Sequence, residues 1–479
     1  MLRWARTSRR RMAAVVVVAI VVVAGTVAGV RYWSVANYKD LDYVGFDGDR
    51  VAAIEAKLTS WPTRHTGTPY AAEVAEYISS QFTDAGLKNV AIEEYDEVDY
   101  EVRGAGLSII YYGPLGLLPD PLRDPKVFLH KVDFVVQGFS GSLEQASGPL
   151  AYMSDLEFVK VEGNGSEPAQ YSDAAGKVAI IDTGPDVGNT QVMEAAHEAG
   201  VAAVLMRNVH IHENLNFAPI SKSSSQPSTW PDPDYPDVPL LMVSRDCGDA
   251  ILGATNAKLR MNVDVDIGMR KVHVVTGEVT GTKAPDELVL IGAHHDCVYI
   301  NQGAVDDGSG TTTVIELAHQ LSRMKPERTI RLCTFGAEED GLFGSFAYAE
   351  SHKDELSKCV GMLNFDMPHI DLSRGNQGWV TPDDKERFGL VRAILGDVYE
   401  ADPELREVYD ISVEWQESPE QVGSDSLPFA LLGIETCNFW GSGSWEYHTY
   451  MDDITHFSPE GIKMAVLLGG SYAMWMADH

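Results

Sequence analysis

The sequence predicts an α/β protein in which a mostly parallel central sheet is flanked by helices and interrupted by a β-rich insert. Three observations support this fold class. In the second half of the chain, apolar runs typical of buried strands alternate with helical patterns. Polar side chains follow the ends of several of these strands, where open α/β sheets carry their sites. In the middle of the chain, short β-like runs and loops rich in Gly, Ser and Pro replace the alternation.

Length and composition limit the classes of protein to which the chain can belong. Its 479 residues are enough for two or three domains, and 44% hydrophobic with 9% aromatic residues can form substantial cores. The 70 acidic residues exceed the 37 basic ones, and the resulting net charge of −33 argues against a nucleic-acid partner. The five cysteines show no CxxC spacing, so the sequence indicates neither a disulfide framework nor a thiolate zinc finger.

The N-terminal segment, residues 1–36, has the pattern of a membrane anchor. Five arginines within residues 3–11 precede an uncharged, Val-rich run, Ala13–Val30. As a transmembrane helix these 18 residues would span about 27 Å, close to the hydrocarbon thickness of a bilayer. Because arginines stay on the cytoplasmic side, the rest of the chain is expected outside the cytoplasm. Cleavage near Ser34-Val35-Ala36 is the alternative, and it would make the protein secreted.

Residues 47–125 are assigned to the N-terminal part of the main domain. The stretch AAEVAEYISSQFTDAGL predicts an amphipathic helix that ends at Gly86 and is followed by a strand. One face of this helix carries the apolar residues Val74, Tyr77, Ile78 and Phe82. His65, in the loop before the helix, is interpreted as structural rather than catalytic.

Residues 131–266 are predicted to form a separate β-rich insert. The runs PLAYM, KVAIID, AAVLM and PLLMV are typical of short strands, and Gln191–Ala199 predicts one helix. The sequence His210-Ile211-His212 would place two imidazoles on one face of a strand. No carboxylate or cysteine with ligand spacing follows this pair, so we interpret both histidines as solvated rather than metal-binding.

From residue 272 to residue 479 the alternation of strands and helices returns. Strand patterns occupy residues 288–293, 329–335 and 361–365, with another within 428–438, and a helical pattern occupies residues 309–324. Because parallel strands end at the same edge of a sheet, the polar groups that follow them are expected to converge. The residues after 272 are therefore predicted to carry the functional site.

Five metal-ligand candidates lie at strand ends or near the start of a helix. They are His294, Asp306, Glu339, Asp366 and His448. Two imidazoles with three carboxylates suit zinc better than calcium or magnesium, which prefer oxygen ligands alone. Five ligands exceed the roughly three protein ligands of one open catalytic zinc, which favours two ions sharing a bridging carboxylate. The alternative is a polar loop whose aspartates cap the following helix.

Carboxylates beside these candidates bear on the chemistry of the site. Asp296, two residues beyond His294, is suited to orient that imidazole. The adjacent Glu338 and Glu339 should point to opposite sides of a strand end, so both are not expected to bind one ion. One glutamate would then bind metal while the other serves as general base for attack of water on a carbonyl. A solvated acidic loop is the alternative for this pair.

Six segments, taken in order, resemble the signature blocks of the M28 family of zinc metallopeptidases. They are GAHHD, GAVDDGSG, FGAEEDGLFGS, LNFDM, SDSLPF and YHTYMDD. The resemblance covers residues 47–113 and 272–479, and it implies the zinc exopeptidase fold. That family includes bacterial aminopeptidases, carboxypeptidase Q and glutamate carboxypeptidase. The insert, with GKVAIID and VPLLMVS, resembles a protease-associated (PA) domain, which in relatives lies over the cleft.

The resemblance implies a ligand assignment for two zinc ions. It places His294 and Asp366 on one ion, and Glu339 and His448 on the other. Asp306 would bridge the two ions.

The resemblance also implies roles in catalysis. Glu338 matches the general base of the family, and Asp296 matches the acid that orients the histidine ligand. Tyr447 matches a position that can donate to the developing oxyanion. The sequence departs from the usual family pattern at Val305 and His295, and neither of these is a ligand position.

The expected function is that of a di-zinc exopeptidase that hydrolyses terminal peptide bonds of peptides, acting as an aminopeptidase. A carboxypeptidase or dipeptidase of the carboxypeptidase Q type is the alternative, because the insert is compatible with both. A glutaminyl cyclase is disfavoured because such relatives lack the insert. A catalytically dead, receptor-like protein is disfavoured because all five candidate ligands and the base are present. The sequence makes no prediction of the oligomeric state.

Overall fold

The computed structural model describes residues 45–144, 148–182, 187–209, 218–442 and 446–479. The predicted membrane anchor and cleavage site within residues 1–36 lie outside these ranges, as do the histidines of His210-Ile211-His212. Among the described residues, no helix combines the length and the apolar character needed to cross a membrane.

Strands and helices are numbered in chain order. The strands are β1 Lys88–Tyr111, β2 Lys126–Phe128, β3 Phe134–Val136, β4 Phe158–Lys160, β5 Val178–Asp182, β6 Ala203–Arg207, β7 Leu240–Val243, β8 Ala257–Val279, β9 Ala284–His294, β10 Arg328–Phe335, β11 Cys359–Phe365, β12 Gln377–Pro382, β13 Asp410–Val413 and β14 Thr436–Trp440. The α-helices are α1 Gly48–Leu58, α2 Tyr70–Ala85, α3 Asn189–Glu198, α4 Arg245–Leu252, α5 Ser309–Leu321, α6 Phe343–Ser351, α7 Lys353–Leu356, α8 Lys385–Ala401, α9 Pro403–Val408, α10 Leu427–Leu431 and α11 Lys463–Asp478.

Within the described residues, nine strands form the main sheet, in the order β13-β12-β14-β11-β9-β10-β8-β1-β2. The neighbours β10, β9, β11 and β14 are parallel, as is the pair β12 and β13. The other four pairings are antiparallel, so the prediction of a mostly parallel sheet is wrong for the sheet as a whole. The physical reason is the long ribbon of β1 and β8, in which β1 leads into the insert and β8 returns from it. The predicted α/β class is confirmed, with a mixed sheet.

The parallel centre of the sheet is buried on both faces. In β9, Val289, Ile291 and Ala293 belong to the core that contains apolar residues of α1, α2, α5 and α11. The intervening Leu290 belongs to a second core, which contains Tyr348 of α6. Successive side chains of β9 point to opposite faces of the sheet, and helices cover both faces. The apolar run 288–293 indicates this burial on both sides. This burial fixes where β9 ends, and therefore where His294 lies.

Helix α2 confirms the amphipathic pattern predicted for it. Val74, Ile78 and Phe82 are fully buried, and Tyr77 packs at the edge of the same core. The helix ends at Gly86, whose φ of 92° is a left-handed conformation that glycine adopts at low cost. The backbone N–H of Gly86 donates to the carbonyl of Thr83.

The insert has a five-stranded sheet of its own, in the order β3-β7-β6-β5-β4. Three of its four pairings are parallel, and α3 and α4 pack on it, so the insert is an α/β layer rather than an all-β module. The helix predicted at Gln191–Ala199 is present as α3. Helix α4 has no counterpart among the sequence predictions. Strand β8 passes through the predicted boundary at residues 266–272 without a break. It contributes apolar residues to the core of the main sheet and to that of the insert.

Candidate active site

The ends of three neighbouring parallel strands bring the candidate ligands together. His294 is the last residue of β9, Glu338 and Glu339 follow β10, and Asp366 follows β11. Strands β9, β10 and β11 are adjacent in the sheet, so their carboxyl ends lie side by side. Asp306 lies just before α5, which packs against β9. The predicted convergence at one edge of the sheet is therefore what the fold produces.

One carboxylate lies between two imidazoles. Asp306 Oδ1 is 3.2 Å from His294 Nε2, and Asp306 Oδ2 is 3.1 Å from His448 Nε2. Glu339 Oε2 is 2.7 Å from the same atom of His448, whereas Asp366 Oδ1 is 3.9 Å from His294 Nε2. His448 reaches this position from the segment after β14 with a φ of 53°.

The ligand-type atoms fall into two groups that meet at Asp306. His294, Glu338 and Asp366 form one group, and Asp306, Glu339 and His448 form the other; within each group these atoms lie within 4.8 Å of one another. The adjacent glutamates thus reach different groups. Both ring nitrogens of His294 and Oε1 of Glu339 are buried and accept or donate no hydrogen bond among the described residues. Buried nitrogen and oxygen atoms without hydrogen-bond partners, beside several carboxylates, fit divalent cations.

Asp296 joins the ends of β9 and β10. Its Oδ1 accepts the backbone N–H of Glu338 at 3.1 Å, and its Oδ2 accepts that of Glu339 at 3.3 Å. The same Oδ1 is 3.5 Å from His294 Nδ1. Burial favours protonation of Asp296, but its interaction with His294 outweighs this and lowers the pKa of Asp296. One ionised carboxylate thereby positions the histidine and both glutamates.

The site holds an excess of buried negative charge. Burial raises the pKa of Glu338 well above its usual value, and the effect of Asp366 adds to it while His294 opposes it. Burial also raises the pKa of Asp366, to about 6. Burial lowers the pKa of His448, but the carboxylates of Glu339 and Asp306 together outweigh burial and raise it to about 10. Carboxylates gathered away from water need a compensating cation, which is a further indication of bound metal.

Tyr447 stacks on the ring of His448, with centroids 3.7 Å apart and planes inclined by 19°. Burial and then the carboxylate of Asp306 raise the pKa of the Tyr447 hydroxyl well above its usual value. The hydroxyl therefore keeps its proton and is available as a hydrogen-bond donor at the site.

Family models match two parts of this chain. Residues 274–468 match the model of peptidase family M28, and residues 146–251 match that of the PA domain. Residues 274–468 form a peptidase family M28 domain. The resemblance to this family and to the PA domain, drawn from sequence motifs, is confirmed.

Similar curated proteins include both aminopeptidases and glutamate carboxypeptidases. The aminopeptidase YwaD of Bacillus subtilis is 28% identical over 308 residues, which are 61% of this chain and 61% of YwaD. The probable glutamate carboxypeptidase LAMP1 of Arabidopsis thaliana is 30% identical over 232 residues, 44% of this chain and 32% of LAMP1. Aminopeptidase Y of Saccharomyces cerevisiae is 26% identical over 342 residues, 68% of this chain and 57% of that protein. The chain thus spans less than two thirds of the length of each relative.

Solved structures share the fold over nearly the whole chain. BSAP, a zinc aminopeptidase from Bacillus subtilis, has a TM-score of 0.68 and 22% identity, covering 91% of this chain and 96% of that one. An aminopeptidase from Aneurinibacillus sp. strain AM-1 has a TM-score of 0.61 and 23% identity, covering 90% and 94%. At these identities the comparison shows that the overall fold is shared.

The M28 and PA domains together line an open cleft of about 560 Å³. The M28 domain contributes Glu338, Glu339, Tyr447 and His448 to its wall. The PA domain contributes residues 188–190 and 222–226. Two of the candidate ligands, Glu339 and His448, thus face a space large enough for part of a peptide, and the PA domain forms one side of it.

Three buried residues of the M28 domain support the site without having been predicted to do so. Asp307 Oδ1 accepts the backbone N–H groups of Gly310 and Met367, at 2.8 and 3.0 Å. Asp452 accepts those of Val305 and Asp306, at 2.7 and 3.0 Å. Asp425, in the SDSLPF block, is fully buried, and burial raises its pKa to about 7. The acidic residue types were the available signal, but the backbone donors Met367, Val305 and Asp306 lie 60 to 147 residues from the carboxylates that they meet.

Arg64 is a further buried residue that sequence analysis missed. It is fully buried, and its guanidinium donates to the carbonyls of His295 at 2.8 Å, Gly303 at 2.9 Å and Gln302. The segment that it holds links His294 to Asp306. The signal in the sequence was only a basic residue in a loop, which by itself indicates a solvated side chain.

Replacing Arg64 with methionine is expected to destabilise the M28 domain. The variant leaves three carbonyls without their charged donor, and this loss should lower the free energy of unfolding by about 3 kcal/mol or more. The urea midpoint of metal-free protein measures this change. Arg103→Met is the matched control, because Arg103 is half exposed and its surface ion pairs should contribute about 1 kcal/mol at most. Equal midpoints for the two variants would contradict the role of Arg64.

His65 is buried and does not contact either ligand group. Its Nε2 is 3.1 Å from Asp340 Oδ2, and Asp99 completes a third group of ligand-type atoms. The backbone N–H of Gly67 donates to His65 Nδ1 at 3.2 Å, so the ring proton lies on Nε2 and faces Asp340. That nitrogen has no lone pair for a metal ion. The contact between His65 and Asp340 therefore fits the structural role expected from the sequence.

Proposed function

We propose that this protein is a di-zinc exopeptidase that removes the N-terminal residue of peptides. The observation that carries the proposal is the carboxylate of Asp306 between the imidazoles of His294 and His448, with Glu338 beside them. The aminopeptidases YwaD and aminopeptidase Y among the relatives, and the zinc aminopeptidase BSAP among the neighbours, support it.

Asp306 is proposed to hold both metal ions. His294 and Asp366 would complete one position, and Glu339 and His448 the other. Bound zinc supplies a Lewis acid that polarises the scissile carbonyl and lowers the pKa of bound water toward neutrality. Asp296 lies beside the ring of His294 and would keep it oriented. The same carboxylate accepts the backbone N–H of Glu338, which holds Asp296 in place.

Glu338 is proposed to be the general base. Its Oε2 lies 4.0 Å from His294 Nε2, and it lines the cleft. Burial raises its pKa well above that of an ordinary carboxyl group. Its carboxylate would take a proton from the attacking water and pass it to the leaving amine, which completes hydrolysis of the peptide bond.

Tyr447 is proposed to stabilise the oxyanion. Its stacking on His448 holds the phenol at the cleft wall, and its hydroxyl remains protonated. Tyr447→Phe should lower kcat about 10²-fold, because the donor acts mainly in the transition state, with KM and zinc content nearly unchanged. Steady-state kinetics with metal analysis measure this. An unchanged kcat would contradict the assignment.

A carboxypeptidase or dipeptidase activity is the second candidate, and one observation favours it. Lys222, from the PA domain, lines the cleft with its Nζ 5.6 Å from the ring centroid of Tyr447. A cation there would attract the terminal carboxylate of a substrate. The relative LAMP1 is named as a probable glutamate carboxypeptidase.

A substrate panel separates these activities. Free, N-acetylated and C-amidated tri- and dipeptides are incubated with zinc-loaded protein, and products are identified by mass spectrometry. Loss of the N-terminal residue, abolished by acetylation but not by amidation, is expected for the aminopeptidase. The reverse pattern would support a carboxypeptidase, and activity on free dipeptides alone a dipeptidase. Pyroglutamate formation from a glutaminyl peptide would indicate a cyclase, and no turnover of any peptide a receptor-like protein.

The catalytic part is proposed to act outside the cytoplasm. The support is the sequence pattern of residues 1–36, with arginines ahead of the apolar run Ala13–Val30. Protease treatment of intact cells, followed by detection of the chain, tests this. Digestion of a membrane-bound chain is expected for a retained anchor, and recovery from the medium for cleavage near residue 36. Full protection in the cytosolic fraction would contradict the proposal.

A further inference from the structure

We propose that the PA domain positions the candidate ligand His448, so that metal affinity at the Glu339–His448 position depends on residues 220–224 of the insert. This inference rests on the metal-binding part of the proposed function. It assigns to the PA domain a role within the metal centre, in addition to its place at the cleft wall.

Two reciprocal hydrogen bonds join Ser221 to His448. The backbone N–H of Ser221 donates to the carbonyl of His448 at 2.9 Å. His448 Nδ1 lies 2.9 Å from the carbonyl of Ser221. A carbonyl only accepts, so Nδ1 carries a proton, and Nε2 is the ring nitrogen that remains to bind a metal ion. Nε2 is the atom that faces Glu339 and Asp306, so the PA domain selects the tautomer that a metal ligand needs.

The backbone of His448 also needs support. Its φ of 53° lies in the left-handed region, which is unfavourable for a residue with a side chain. Such conformations persist where surrounding contacts hold them. Both hydrogen bonds to Ser221 act on this residue, one on its carbonyl and one on its ring. The contact therefore restrains the backbone and the imidazole together.

The position of Ser221 is set by the five-stranded sheet of the insert. Gln137, directly after β3, donates from Nε2 to the carbonyl of Ile220 and accepts the backbone N–H of Lys222, each at 3.0 Å. Gly138 N–H donates to the carbonyl of Lys222 at 2.8 Å. Gln137 and Ser221 are both fully buried. The side chain of Gln137 thus fixes the segment on either side of Ser221.

A second contact reaches the residue next to the other ligand of the same position. Ser223 Oγ donates to Asp340 Oδ1 at 2.9 Å, and Asp340 directly follows Glu339. As far as the structure describes them, hydrogen bonds from residues 220–224 do not reach His294 or Asp366. The PA domain therefore touches one metal position and leaves the other to the M28 domain.

This arrangement links two equilibria. Metal at the Glu339–His448 position should order residues 220–224, and order in that segment should strengthen metal binding by the same factor. Loss of a partner that orients a ligand weakens metal binding by about 10- to 100-fold. Gln137→Ala is therefore expected to weaken the binding of one zinc equivalent by about 10-fold or more. The binding of the other equivalent should stay at its original strength.

The test is a zinc titration of the metal-free, full-length chain against a chromophoric chelator, with bound metal counted by mass spectrometry. Ser225→Ala is the matched control. Ser225 lies in the same loop, and its exposed hydroxyl pairs with Thr190 rather than with Gln137 or His448. Two wild-type affinities are expected for this control, and one weakened affinity for Gln137→Ala. Unchanged binding in Gln137→Ala, or equal weakening of both equivalents, would overturn the inference.

A measurement on the wild type keeps the inference testable if Gln137→Ala does not fold. Hydrogen exchange is followed in peptides that contain the amide of Ser221, with and without zinc. Slower exchange on saturation of both positions is expected, and removal of this effect by His448→Ala. Exchange that zinc leaves unchanged would contradict the linkage.

Failure of the inference can be told apart from failure of the proposed function, because no readout depends on a peptide substrate. Two zinc equivalents with selective weakening in Gln137→Ala, but no peptide hydrolysis, would refute only the peptidase activity. Active, two-zinc protein that is insensitive to Gln137→Ala would refute only the role of the PA domain. A wild-type chain that binds no zinc would refute the metal centre on which both depend.

Discussion

Replacing Glu338 with glutamine is expected to lower kcat by a factor of about 10² or more while bound zinc is retained. Glutamine has nearly the same shape but cannot take a proton from water at neutral pH. The backbone N–H of Glu338 still donates to Asp296, so the segment that carries Glu339 should keep its position. Steady-state kinetics on a free tripeptide and metal analysis of the same sample measure both quantities.

The control for this variant is Glu350→Gln, which removes the charge of a carboxylate that is 72% exposed and pairs with Lys353 on the surface. It should leave kcat and zinc content unchanged. An unchanged kcat in Glu338→Gln would remove Glu338 from the mechanism. A low kcat together with lost zinc would instead make Glu338 a ligand, which its grouping with His294 and Asp366 also allows geometrically.

The strand ends could be predicted from the sequence because burial imposes a pattern on residue types. The run 288–293 had to be apolar since β9 is covered on both faces, and the change to His294 marks where that cover ends. The same reasoning located Glu338 and Asp366 after β10 and β11. Convergence of these side chains then follows from the parallel pairing of the three strands.

Strand direction could not be predicted from the sequence in the same way. A strand pattern such as that of Val272, Val274 and Val275 is equally compatible with a parallel or an antiparallel neighbour, because both directions bury the same side chains. β8 is antiparallel to β1 because the chain returns through it from the insert, and it is antiparallel to β10 because the chain reverses between β8 and β9, which is parallel to β10. The mixed sheet is thus a consequence of connectivity across many residues, which local patterns do not encode.

The contacts of Ser221 and Arg64 show a second limit of sequence reasoning. Ser221 acts through its backbone N–H and carbonyl, so no particular side chain at position 221 is required for the contact with His448. Arg64 acts on three carbonyls about 230 residues away in sequence. Backbone partners leave no motif, and only the folded chain brings them within hydrogen-bond distance.

Replacing Asp306 with asparagine is expected to abolish measurable peptide hydrolysis and to lower zinc occupancy at both positions. Each oxygen of Asp306 faces a different imidazole, so loss of its charge should affect both ligand groups at once. An amide offers one oxygen and no negative charge, and it cannot replace a bridging carboxylate. His294→Ala and His448→Ala should each lose about one zinc equivalent, because each removes a ligand of one position.

The comparison among these three variants decides whether Asp306 is shared. A bridging role predicts that Asp306→Asn loses more zinc than either histidine variant and weakens both titration steps. If Asp306 served one ion alone, its variant would match His294→Ala or His448→Ala and leave the other step intact. Asp286→Asn, at a surface pair with Lys358, controls for the loss of one carboxylate charge and should bind zinc normally. The separation of the two steps therefore measures, residue by residue, which ion each side chain holds.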